Sequence, residues 1–162
     1  MSNWPELDPA RDHETLAIIH LASQMLGKIR VRHAPWTNHG WHAALQPTAR
    51  GLATLPTASG DGRTFVLALD LCRHAILLTT SAEEREELPL GAESIAALHS
   101  GLTAMLRKLG LPSDFHGTPN EVPEPVPFAA DSVRLNYDPQ SATPFREPLA
   151  AIPSEPATGA PG

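Results

Sequence analysis

Residues 64–79, TFVLALDLCRHAILLT, hold two strand-length apolar runs, 64–70 and 74–79, separated only by Leu71, Cys72 and Arg73. A gap of three residues closes a tight turn, whereas parallel neighbours need a crossover of a dozen residues or more. The pair therefore reads as antiparallel neighbours. Upstream, residues 51–55 and 41–46 form two further short runs, punctuated by Pro47 and by Ser59-Gly60-Asp61-Gly62. Residues 28–32 alternate Ile29 and Val31 with Lys28, Arg30 and Arg32, the period of a half-buried strand. Downstream, residues 82–87 read as a charged turn leading into a short strand at 87–90. Turn-sized gaps throughout imply an antiparallel meander of five or six strands.

Two helical patterns flank this sheet. In residues 13–26, Leu16, Ile19, Ser23 and Leu26 share a face widened by Ile18, Leu21 and Met25, with Asp12 as the expected cap and Gly27 as the expected stop. Ser94 opens the second, where Ile95, Leu98, Leu102, Met105, Leu106 and Leu109 form a stripe that ends at Gly110. Gly101 lies inside it, which costs helix stability but allows close approach to the sheet. The expected class is α+β: a five- or six-stranded antiparallel meander packed with two helices and followed by a Pro-rich extended segment.

Eleven of the seventeen prolines and a local charge of about −5 lie from residue 111 onward, so the overall charge of −6 belongs mostly to that stretch. The near-neutral body gives no electrostatic reason to expect nucleic acid or an anionic membrane as partner. No apolar window reaches the length of a membrane span, and a single cysteine, Cys72, fits a reducing, cytoplasmic setting. Three regions are expected: a globular domain over 1–117, an extended segment over 118–148 packed through Val122, Val126 and Phe128, and a disordered tail over 149–162.

The stretch richest in chemistry-bearing side chains is Pro35-Trp36-Thr37-Asn38-His39-Gly40-Trp41-His42, with two indoles, two imidazoles and an amide in eight residues. His39 and His42 are the candidate catalytic or metal-ligating pair, although their spacing is weak for a metal site and no companion motif accompanies them. His20 and Gln24, four residues apart on the first helix, can point together at a pocket. Lys28 and Arg30, read on one strand face with Arg50 nearby, could take a carboxylate or phosphate. Phosphate-cradling loops, dinucleotide fingerprints, nucleophile elbows and calcium loops are absent from the sequence.

Three readings stay open. The first is a ligand-binding domain in which Trp36, Asn38, Trp41, His20, Gln24, Lys28 and Arg30 line a pocket for a small polar or anionic molecule. The second is a hydrolase-type enzyme using His39 or His42, through a metal or without one. The third is a structural remnant or interaction module whose pocket is no longer used. No cofactor or metal is identified by the sequence.

The series Trp4-Pro5-Glu6-Leu7, Gly27-Lys28-Ile29-Arg30, Pro35-Trp36-Thr37-Asn38-His39 with Trp41, Thr48-Ala49-Arg50-Gly51-Leu52, Glu121 to Phe128 and Tyr137-Asp138-Pro139 resembles, in order, the bacterial domain of unknown function DUF5996. The resemblance implies no particular activity. Family members are expected to be about twice this length, so the resemblance also implies that this chain carries the N-terminal half. A site shared between halves would then be incomplete, or completed by pairing with a second copy.

Overall fold

The computed structural model describes residues 8–36 and 44–151. The chain order is α1 (Pro9–His33), β1 (Gln46–Thr48), β2 (Gly51–Ala53), β3 (Thr57–Ala58), β4 (Thr64–Asp70), β5 (Ala75–Thr80), β6 (Arg85–Pro89), α2 (Ile95–Lys108), a 3-10 turn (Phe128–Ala130) and α3 (Pro139–Ala151). All pairings in the sheet are antiparallel, in the order β1-β2-β4-β5-β6, with β3 pairing β4 beyond the end of β2. The α+β class and the meander agree with the sequence pattern.

The first helix departs from it. Residues 28–32 are helical, not a strand, because the apolar stripe Ile18, Ala22, Met25, Leu26 and Ile29 continues through Gly27 at three- and four-residue steps, each member buried. Val31, which the alternating pattern put on the buried face with Ile29, is 47% exposed. Burying one isoleucine is worth about 1.5–3 kcal/mol, more than the roughly 1 kcal/mol that a mid-helix glycine costs. The helix stops instead before Pro35, and its N-cap is Asp8, whose carboxylate accepts from the amides of Ala10 and Arg11.

Asp12, expected as the cap, is instead buried inside the first turns. Its carboxylate accepts from Arg11 Nε at 2.7 Å, Ser141 Oγ at 2.6 Å and the Asp8 amide at 3.0 Å. The Arg11 guanidinium, followed by the Ser141 hydroxyl, holds this carboxyl well below the usual carboxylate range. Ser141 belongs to α3, a helix the sequence pattern missed. Residues 139–151 are therefore helical rather than a continuation of the extended run, and 149–151 fall inside that helix rather than in a tail. The remainder of the expected tail lies outside the described residues.

Strands β2 and β3 are one interrupted strand along β4. Thr54 fills the break, its amide donating to Leu67 O and its hydroxyl accepting from Leu67 N, while Pro56 has no amide to offer. The expected turn at 82–87 is shorter than its charge suggested. It ends at Glu84, after Glu83 takes a left-handed conformation, and β6 begins at Arg85. Arg85, Glu87 and Pro89 of this edge strand are exposed while Glu86 and Leu88 are half-buried; the charges and the proline, with Pro47 on the opposite edge, discourage strand addition. Arg63 ties the region together by donating to Asp61, Glu84 and the Leu109 carbonyl near the end of α2.

Phe65, Leu67 and Leu69 of β4 and Ile76 and Leu78 of β5 form the sheet's contribution to the core, against Ile29 of α1 and Leu98 and Leu102 of α2. At Gly101, a Cβ would stand 2.7 Å from Leu88 Cδ1, which is the close approach of α2 to β6 expected from the sequence. After α2 the chain is extended, and Phe128 is its buried anchor; Val122 is half-buried and Val126 is 46% exposed, so the apolar docking rests mainly on the phenylalanine. The returning segment is pinned to α1 by Asn136 N to Glu14 and Asp138 N to Thr15 Oγ1 before α3 begins. Among the described residues, no helix is long and apolar enough to cross a membrane.

Two variants test this arrangement. A Cβ at Gly51 would lie 2.1 Å from the Leu69 carbonyl oxygen, and the residue has φ +151°. Gly51→Ala is therefore expected to destabilise by at least about 2 kcal/mol in urea unfolding. Because the Asp12 carboxyl is depressed in the folded state, its contribution is present above the unfolded carboxylate pKa of about 4 and is lost as pH falls below it. The thermal midpoint of Asp12→Asn should accordingly lie well below that of the unsubstituted protein at pH 7, with the gap shrinking as pH falls below about 4.

Candidate functional site

With residues 28–32 helical, His20, Gln24 and Lys28 follow one another at four-residue steps along the face of α1 that is turned away from the sheet. Opposite them runs the extended segment after α2. Gln24 clamps this segment at Asn120: its Nε2 donates to the Asn120 carbonyl at 2.8 Å, and its Oε1 accepts from the Asn120 amide at 2.7 Å. These two bonds fix which end of the Gln24 side chain is nitrogen. The second Nε2 hydrogen then reaches His20 Nε2 at 3.0 Å, so that ring nitrogen is an acceptor and the neutral imidazole carries its proton on Nδ1. Through this contact His20 joins the clamp.

Lys28 extends from the same face. Its Nζ donates to Asn120 Oδ1 at 3.2 Å and lies 3.4 Å from His116 Nδ1, whose other neighbour is the Thr118 carbonyl at 3.2 Å. The two contacts at His116 need opposite proton positions. A protonated Nδ1 donates to Thr118, and an unprotonated one accepts from Lys28. No ion pair among the described residues involves Lys28. Partial burial without a counter-charge lowers the pKa of its ammonium. Between α1 and residues 120–121 lies an open groove of about 360 Å³, polar at the His20, Gln24 and Lys28 end and apolar at Val31 and Leu45.

The remaining sequence candidates are dispersed. Arg30, two residues from Lys28, points about 200° around the helix from it. It donates to the Pro56 carbonyl at 2.9 Å and to Thr57 Oγ1 at 3.3 Å, and its Nε is buried with no partner. Desolvation lowers its pKa. The shared cationic face expected of Lys28 and Arg30 therefore does not exist, because it depended on strand geometry. Arg50 is likewise occupied, its Nε 2.6 Å from Asp70. Trp36 is 74% exposed just beyond α1. Asn38, His39, Trp41 and His42 lie outside the described residues. Among the described residues, no three His, Cys, Asp or Glu side chains converge as metal ligands would.

Asn120 and Glu121 complete the groove, His116 lies beside the Lys28 ammonium, and none of the three was singled out as a site residue in the sequence. They sit some ninety residues from their partners on α1, and only the interruption of the Pro-rich run by Asn120 and Glu121 hints at them. A second depression, about 660 Å³, runs along α2 beside His99, Thr103 and Arg107. His99 is packed against Phe115 and Phe128, and burial lowers its pKa. A third, about 440 Å³, opens on the sheet between Arg73, Leu77 and Arg85. Of these three depressions among the described residues, the α1 groove is the one that gathers several of the sequence candidates with a clamped backbone.

The clamp makes a direct expectation. Gln24→Ala removes two hydrogen bonds to Asn120, and at about 1 kcal/mol each the Asn120 amide should exchange with solvent roughly tenfold faster or more, while core amides such as that of Leu67 keep their protection.

Residues 4–154 match the family model described as "Family of unknown function (DUF5996)". No curated protein and no solved structure matches the chain. Because the matched region contains every element of the fold, from α1 through α3, the chain belongs to the DUF5996 family.

Proposed function

We propose that the α1 groove is a binding site for a small polar or anionic molecule. The observation that carries this reading is Lys28: a partly desolvated ammonium at the edge of an open groove that, among the described residues, donates to the neutral Asn120 side chain, lies near the His116 ring and has no carboxylate partner. A charge taken partly out of water is stabilised far better by an opposite charge than by neutral dipoles, so an anion arriving at Nζ gains a charge-assisted hydrogen bond. The clamp supports the reading. Gln24 fixes both backbone groups of Asn120, so the groove wall is held before a ligand arrives and little ordering is needed on binding. The groove volume falls within the range of small-molecule sites.

The test is a titration of isotopically labelled protein with acetate and with inorganic phosphate, followed by amide resonances. Saturable shifts at His20, Gln24, Lys28 and Asn120 are expected, weakened about ten- to hundredfold in Lys28→Gln, whose amide spectrum away from the groove should be unchanged. Shifts that never saturate and spread equally over exposed basic residues such as Arg85 and Arg107 would reject the site.

A further inference from the structure

Lys28 is not the only charge in the groove. Glu121 lines it as well, next in sequence to Asn120, whose Oδ1 receives the Lys28 ammonium. No ion pair among the described residues joins the two or engages Glu121 elsewhere. A lysine and a glutamate thus line one groove without forming an ion pair with each other. Glu121 is also held with φ +56°, a left-handed conformation that a glycine or asparagine adopts more cheaply. The clamp on Asn120 holds the preceding residue in place. Next to Lys28, Gly27 contributes no side chain, and Val31, about one helical turn on, and Leu45 provide an apolar surface.

From this, and resting on the reading of the groove given above, we propose that the ligand is a zwitterion with an aliphatic tail, of the class of an apolar α-amino acid. Its carboxylate is received by Lys28 Nζ and its ammonium by the Glu121 carboxylate, so each unpaired charge of the groove gains a partner. Its side chain lies across Gly27 toward Val31 and Leu45. A simple anion would satisfy Lys28 and leave Glu121 opposed to its charge. A simple cation would do the reverse. The zwitterion is the class that both charges favour.

Three probes of one shape separate the possibilities: L-leucine, 4-methylpentanoate, which keeps the carboxylate and tail, and isopentylamine, which keeps an ammonium and tail. The full chain is titrated with each, alongside Lys28→Gln and Glu121→Gln. Leucine is expected to bind at least about tenfold more tightly than either fragment, and Glu121→Gln to reduce leucine affinity to near that of 4-methylpentanoate. If 4-methylpentanoate equals or exceeds leucine and Glu121→Gln changes nothing, the zwitterion is overturned while the anion-binding groove stands. If acetate, phosphate and all three probes fail to give saturable shifts at the groove, both readings fall together. Glu121 is exposed and makes no side-chain hydrogen bond among the described residues, so Glu121→Gln is expected to fold and the comparison remains decisive.

Discussion

Burial of Ile29 keeps α1 helical past Gly27, and much of what is distinctive in this molecule depends on that extra turn and a half. A helix ending at Gly27 would release Lys28 into an extended segment and leave Gln24 near a frayed end. Because the stripe from Ile18 to Ile29 is buried without a break, the helix instead runs to His33, and its outer face presents His20, Gln24 and Lys28 in line. The same rotation sends Arg30 toward β3, where it braces the Pro56 carbonyl that the broken strand leaves free of the ladder. One apolar side chain thus decides both where the groove lies and which cation stays out of it.

The second constraint is the return of the chain after α2. A Pro-rich stretch has little of its own to bury, and ordering it costs about 1–2 kcal/mol of backbone entropy per residue. That cost is offset at a few strong points. Phe128 inserts fully into the core beside His99 and Phe115. Gln24 takes the Asn120 backbone as a neighbouring strand would. Farther on, Glu14 and Thr15 receive the amides of Asn136 and Asp138, and the Asp12 carboxylate accepts the Ser141 hydroxyl. Each of these points lies on α1 or against α2, so the helices serve as the template on which the second half of the chain is laid.

Electrostatics divides the charged side chains into two kinds. Arg50 with Asp70, Arg63 with Asp61 and Glu84, and Arg73 with Glu87 are ion pairs at turns and strand edges, where they fix loop conformation and contribute little ligand capacity. Lys28 and Glu121 lack such partners and share a groove. Asp12 stands apart from both, a buried carboxylate whose neutralisation comes from Arg11 and from hydrogen bonds, and whose role is to lock α3 onto α1.

Much of the sheet was legible in the sequence because its signals are local. The runs at β4 and β5 alternate cleanly or are continuously apolar, and three residues between them leave antiparallel pairing as the outcome. Helix α2 was equally plain, with Ser94 at its start, an unbroken stripe and Gly110 past its end. The failures are also physical. Ile29 and Val31 satisfy a period of two as well as Ile29 satisfies the continuing helical stripe, and only the presence of a sheet beneath Ile29 breaks the tie. Helix α3 has weak amphipathic character and two internal prolines, Pro144 and Pro148, so nothing in its sequence announced it; its first turns are fixed by Asp12, Asp138 and α1. Of the site, His20, Gln24 and Lys28 were visible as residue types, while His116, Asn120 and Glu121 were not, since their meaning arises only across some ninety residues of chain. The sequence by itself therefore determined the elements whose hydrogen bonds and apolar faces repeat at a fixed short period. Tertiary packing alone decided where α1 ends, that α3 exists and which charges meet, because those depend on burial against distant chain that no local period records.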